Sequence, residues 1–329
     1  MAGAKRGTPD RGNFAHPRPP AFDRLSVGGS VLARLCSPAG KSAVRRMAPP
    51  ELPLDSGARH GARATRKGSD LMSLDLAHIE HGSGPPVVIL HGLLGSARNW
   101  ATIAKRLAGT YRVLAVDLRN HGRSPWADAM SYEAMAEDVA ALVARLGLAQ
   151  PAVVGHSMGG KVAMQLALSH GDAVGRLVVV DIAPVRYERS FAPYIEAMQQ
   201  VDLSAARRSE VDESLKPAVP DAGVRAFLLQ NLVSSDGGFA WRVNLPALSA
   251  NMDAIMGFPA SPHPRSFEGP ALFLAGGRSD YLRPLHRAEI ERLFPRAEFE
   301  VIEDAGHWVH AERPADFLEA LERFLERDG

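Results

Sequence analysis

From residue 72 onward the chain alternates between two hydrophobic periods. Short runs rich in β-branched residues read as strands: "PVVILHG" (86–92), "YRVLAVDL" (111–118), "PAVVGHS" (151–157), "LVVVDIA" (177–183), "ALFLAGG" (271–277) and "EFEVIEDAG" (298–306). Most of them end in Gly or Asp. Between them lie helical patterns, "RNWATIAKRLAG", "SYEAMAEDVAALVARLGL", "GGKVAMQLALSHG", "LHRAEIERLF" and "RPADFLEALERFLER". In the second of these, Met135, Val139, Leu142 and Val143 share one face and charged residues take the other. Strands that are apolar throughout and separated by helices need cover on both faces. The pattern therefore predicts an α/β fold with a mostly parallel sheet flanked by helices. Function at such a sheet sits at the carboxyl ends of the strands.

One stretch breaks the alternation. Residues 187–266 show no strand pattern but several helical pieces, "FAPYIEAMQQV", "GVRAFLLQNLV" and "LPALSANMDAIM". That is far too long for a loop between two sheet strands, so it reads as a helical cap inserted over the carboxyl edge. The expected division is a core of 72–186 and 267–329 with the cap at 187–266.

Composition changes this picture only at the amino end. Residues 1–70 hold 13 Lys+Arg against 5 Asp+Glu, and the remaining chain holds 25 against 32. A basic tail thus precedes an acidic body. The tail is rich in Pro, Gly, Arg and Ala and has few large apolar residues, so residues 1–71 are expected to be disordered. Met72 opens a stretch that reads as the natural start of a folded domain, so the tail is expected to be an over-extended start or a targeting segment. It lacks the continuous apolar region of a secretory signal. No run approaches the length of a membrane span, and no basic stripe with interleaved aromatics suggests nucleic acid. The single cysteine, Cys36, allows no intrachain disulfide and suggests a reducing, cytoplasmic setting.

The chemistry gathers at strand ends. "GHSMGG" (155–160) places Ser157 between the strand "PAVV" and the helix "KVAMQLALSH". Strand, G-x-S-x-G and helix in that order make a nucleophile elbow; the bland alternative is a serine capping a helix. "HGLLGS" (91–96) follows the first strong strand. There the N–H groups of Leu93 and Met158 are expected to form an oxyanion hole. In "DLRNHGRS" (117–124), Asp117 and Arg119 read as loop braces, and His121 is not expected to react. A hydroxyl nucleophile needs a base. Of the 12 histidines, His307 in "EDAGHWVHAERP" directly follows the last strand, with His310 its only near competitor. The imidazole needs a carboxylate. Asp181 in "VVVDIAP" and Asp280 in "AGGRSDYLRP" both end strands and both preserve the chain order Ser, Asp, His. No metal or organic cofactor is implied.

Together "HGLLGS", "DLRNHGRS", "GHSMGGKVAM", "VVVDIAP" and "DAGHWVH" resemble the α/β-hydrolase superfamily, and most closely its YbfF-like esterase branch. The cap segments "FLLQNLV" and "FAWRVNLPAL" resemble that branch too. The likeness covers residues 74–327. It implies Ser157 as nucleophile, His307 as base and Asp181 as acid. The wider superfamily takes its acid from a G-x-x-D loop one strand later, a form that Gly277-Arg278-Ser279-Asp280 also has, so Asp280 stands as the alternative acid. The resemblance implies a serine hydrolase acting on small-molecule esters or thioesters with short- to medium-chain acyl groups. Carbon–carbon bond hydrolysis, perhydrolysis and slow-turnover ligand binding can use the same triad. Phe227, Trp241 and Leu248 are large apolar cap residues expected at the acyl pocket.

Overall fold

The computed structural model describes residues 73–188, 190–259 and 266–327. The expectation for residues 1–71 lies outside these. Seven strands form one sheet in the order β1-β3-β2-β4-β5-β8-β9. They are β1 His78–His81, β2 Pro86–Leu90, β3 Arg112–Val116, β4 Ala152–His156, β5 Arg176–Val180, β8 Ala271–Gly276 and β9 Ala297–Ile302. β1 runs antiparallel to β3 and every other pairing is parallel. Both faces are covered, because successive side chains point to opposite sides. Val88, Leu90, Leu177 and Val179 face the helices α2 Tyr132–Arg145 and α3 Met158–Ser169. Val87, Ile89, Val178 and Val180 face α1 Ala101–Leu107 on the other side, where Trp100 and Phe317 also pack.

Between β5 and β8 the chain forms the cap. Its helices are α4 Ala192–Gln199, α5 Arg208–Leu215, α6 Ala222–Leu229, α7 Leu245–Ala250 and α8 Met252–Met256. The cap is not purely helical. β6 Leu232–Ser235 and β7 Gly238–Trp241 pair as a hairpin, in register from Leu232↔Trp241 to Ser235↔Gly238. The signal was Asp236-Gly237: Gly237 takes φ 83°, which a two-residue hairpin turn requires. Four-residue strands with an exposed serine pair carry too little alternation to register as strands. β1 went unread for the same reason, since "HIEH" has one apolar residue. After β8 come α9 Arg287–Leu293, then α10 Val309–Glu312 and α11 Pro314–Leu325 beyond β9.

Two buried polar devices fix the loops around the sheet's carboxyl edge. Arg119 donates to both oxygens of Asp138 on α2 and to the carbonyls of Ala129 and Ala134. Asp138 also accepts the Leu74 N–H at 2.6 Å. On the cap side, Lys161 of α3 is buried and donates to the carbonyls of Met256 and Gly257, at the end of α8. Its Nζ lies 5.6 Å from the Tyr132 ring centre and 4.9 Å from that of Tyr187.

Removing one partner of a buried pair strands the other charge. Asp138→Ala should therefore cost about 3–5 kcal/mol in urea unfolding. Glu289→Ala breaks only the half-exposed pair with Arg292 and should cost under about 1 kcal/mol.

Candidate active site

Ser157 sits where β4 turns into α3, with φ 53° and ψ −120°. A serine in that left-handed region is strained, and such strain is typical of a side chain pushed out for chemistry. The turn closes only because its neighbours lack side chains. A Cβ on Gly155 would stand 2.2 Å from the Gly159 carbonyl oxygen, and one on Gly159 would stand 2.5 Å from that of Leu90.

The hydroxyl of Ser157 donates to Nε2 of His307 at 3.1 Å. Nδ1 of His307 donates to Oδ2 of Asp181 at 2.7 Å. Asp181 is fully buried, just past β5, and also sits at positive φ, 51°. Its Oδ1 accepts the Gly276 N–H at 3.1 Å, and its Oδ2 accepts the Ser279 hydroxyl. The carboxylate is thus held by donors on both oxygens, which aims it at the imidazole. The G-x-x-D loop brings Ser279, not Asp280, to this point; Asp280 is exposed. The Tyr281 ring stacks on His307 with centres 4.1 Å apart. The Tyr187 hydroxyl donates to the Tyr281 carbonyl and accepts the Ala183 N–H at 2.9 Å, steadying that platform.

Leu93 follows Gly92, whose bare Cα lies against Ser157: a Cβ there would be 3.3 Å from the serine Cβ. The N–H of Met158 is the first of α3, where a helix leaves its donors unpaired. The loop carrying Leu93 is held by buried imidazoles. His121 Nδ1 donates to the Arg119 carbonyl at 2.9 Å, and its Nε2 accepts the Leu94 N–H at 3.1 Å. His91 Nε2 accepts the Leu118 N–H at 3.0 Å. Only a neutral ring accepts such a bond, and burial enforces that state: it pushes His121 down to about 3 and lowers His91 as well. Asp117 accepts the Ala97 and Arg123 N–H groups at 2.7 and 3.0 Å, a brace for the same loops.

The remaining histidines have other work. His156 Nε2 donates to the His307 carbonyl at 2.8 Å, pinning the loop that carries His307. His310 stacks on Trp100 with centres 4.0 Å apart and is buried, which holds it neutral with a pKa near 3. Its ring meets that of His156 edge-on, with centres 4.9 Å apart, and among the described residues no hydrogen bond joins it to Ser157, His307 or Asp181.

A cavity of about 560 Å³ opens over Ser157. Leu93, Phe191, Phe227 and Trp308 contribute to its wall, with Phe227 and Trp308 in ring contact at 5.7 Å. The other two cap residues expected there lie elsewhere. Trp241 turns its indole N–H to the Met198 carbonyl at 2.9 Å, and Leu248 is fully buried in cap-to-core packing. Sequence reasoning missed Phe191, Trp308, Ser279 and Tyr281. The last three stand within two residues of His307 or Asp280, so proximity to a candidate was the available signal. Among the described residues no cluster of His, Cys, Asp and Glu could hold a metal ion, and no helix is long and apolar enough to cross a membrane.

The model of the alpha/beta hydrolase family matches residues 87–320. The chain belongs to that family. The sn-1-specific diacylglycerol lipase ABHD11 of Mus musculus is 43% identical over 298 residues, which cover 87% of this chain and 95% of the relative. Esterase YbfF of Escherichia coli (strain K12) is 36% identical over 251 residues, 76% of this chain and 96% of the relative. A solved structure titled "Marine microorganism esterase" superposes with a TM-score of 0.74 at 39% identity, covering 77% of this chain and 100% of that one. The hydrolase falls in the YbfF-like branch and is a carboxylic ester hydrolase.

The geometry around Asp181 generates a sharp test of the hydrolase. Asp181→Asn should lower kcat by about 10⁴-fold, since an amide holds the wrong imidazole tautomer. Asp280→Asn should cost less than about tenfold. Steady-state hydrolysis of p-nitrophenyl butyrate by both variants measures the two effects.

Proposed function

We propose that the protein hydrolyses esters or thioesters of short- to medium-chain acyl groups through an acyl-enzyme on Ser157. The hydrogen-bonded run from Ser157 through His307 to buried Asp181 carries this reading. Nε2 of His307 takes the serine proton as Oγ attacks the carbonyl carbon. The resulting oxyanion accepts the N–H groups of Leu93 and Met158. Asp181 orients the ring and stabilises the imidazolium. The imidazolium then protonates the departing alcohol or thiolate, leaving the acyl group on Oγ. Water repeats the sequence: His307 removes its proton, hydroxide attacks the acyl carbon, and Oγ leaves with the proton returned.

A small, partly apolar cavity fits an acyl chain of modest length. The name of the mouse relative adds glycerol esters to the candidate substrates. The lone Cys36 supports a reducing compartment, and we place the protein in the cytoplasm on that ground.

Ser157→Ala should lose about 10⁶-fold in kcat for p-nitrophenyl butyrate, and a fluorophosphonate probe should label the wild type at Ser157 and not the variant. A variant that keeps a tenth of the activity would put the nucleophile elsewhere. Phe227→Ala should change the ratio of kcat/KM between butyrate and octanoate esters by about tenfold or more, as expected for a wall residue worth one to three kcal/mol. Trp241→Ala should leave that ratio within about twofold.

A further inference from the structure

Three arginines from three separate elements converge on the cavity that holds Ser157. Arg98 comes from the short 3-10 turn Ala97–Trp100, Arg208 from α5 of the cap, and Arg278 from the loop after β8. Among the described residues the same wall carries one carboxylate, Glu312, and that group is committed. Its oxygens accept the Gly306 N–H at 2.8 Å and the Trp308 N–H at 3.2 Å, and its ion pair with Arg278 at 3.6 Å offsets only part of the charge of three guanidinium groups; Arg278 also donates to the Asp304 carbonyl. Arg208 donates to the carbonyls of Leu229 and Leu232, which aim the guanidinium without cancelling its charge. Arg98 is exposed and makes no side-chain hydrogen bond or ion pair among the described residues. Its charge is felt nearby: after burial, Arg98 is the largest cause lowering the pKa of Arg242.

This rim is cationic although residues 71–329 carry an excess of seven acidic groups, 32 against 25. Nothing in the acid–base relay needs it. Catalysis at Ser157 requires the imidazole, the carboxylate and two N–H donors, all of which lie at the strand ends. Positive charge gathered at the mouth of a low-dielectric cleft raises the local concentration of anions and orients them. Guanidinium groups in particular match the two-oxygen geometry of carboxylate and phosphate.

We infer that the preferred substrate is an ester or thioester bearing an anionic group, carboxylate or phosphate, which the Arg98–Arg208–Arg278 rim holds while the acyl carbonyl meets Ser157. The inference rests on the serine-hydrolase reading above and narrows its substrate class. The anion can stand on the acyl chain or on the leaving group, and the two sources are separable. A neutral diglyceride would reach the same serine without engaging the rim.

Two matched pairs of probes test it with the full chain. On the acyl side, p-nitrophenyl hydrogen adipate is compared with p-nitrophenyl heptanoate. On the leaving-group side, S-acetylphosphopantetheine is compared with S-acetylpantetheine. In at least one pair the anionic member should show kcat/KM about tenfold higher, mostly through KM. That preference should shrink several-fold between about 20 and about 500 mM NaCl, as the Debye length falls from roughly 20 Å to under 5 Å. It should also shrink in Arg98→Gln and in Arg278→Gln. The wild-type salt series stands even if a variant fails to fold. Neutral members turned over as well as anionic ones in both pairs, or a preference indifferent to salt, would overturn the inference and leave the hydrolase reading intact. No turnover of any of the four probes, or turnover surviving Ser157→Ala, would overturn both.

Discussion

The first turn of α3 lies against the sheet closer than any side chain permits. Gly155, Gly159 and the carbonyl of Leu90 occupy space that a methyl group would fill. That approach forces Ser157 into the left-handed region and lifts its hydroxyl clear of the turn. It also brings the amino end of α3 beside the loop carrying Leu93. The placement of Ser157 and that of the Leu93 and Met158 N–H groups are therefore products of one steric constraint. The remaining groups are set against it: His307 from the loop after β9, Asp181 from the end of β5, and the cap from above.

Around this turn the protein uses imidazoles in two opposite ways. His91, His121, His156 and His310 are buried and kept neutral, so each behaves as a fixed dipole with one donor and one acceptor. His307 instead sits between a hydroxyl and a carboxylate at the cavity wall. Burial separates His307 from the other four imidazoles, and burial is a property of the packed fold rather than of the motif.

This explains what could be read from residues alone. The parallel strands of the core were legible because runs such as Val87–Leu90 and Leu177–Val180 are apolar on both faces. The elbow was legible because strand, Gly-x-Ser-x-Gly and helix follow one another directly. β1 and the hairpin β6–β7 were not, since four-residue strands at an edge or in the cap bury too little to impose a period. The choice between Asp181 and Asp280 stayed open because both end adjacent strands. One residue of offset in the second loop brings Ser279, and not the exposed Asp280, to the Asp181 carboxylate. Trp241 and Leu248 looked like pocket residues because cap helices expose apolar faces to both pocket and core, and only the packing separates the two.

Lys161 gives the cap a standing it would not have as a detachable lid. The residue belongs to the same helix that begins at Ser157, yet its ammonium finds acceptors in the carbonyls of Met256 and Gly257. Without those two carbonyls the donor would be buried and unpaired, at a cost of about 1–3 kcal/mol. The cap is thus not an interchangeable module. Replacing this segment therefore also calls for a change at Lys161, the fourth residue after Ser157, so cap and helix are coupled through one buried amine.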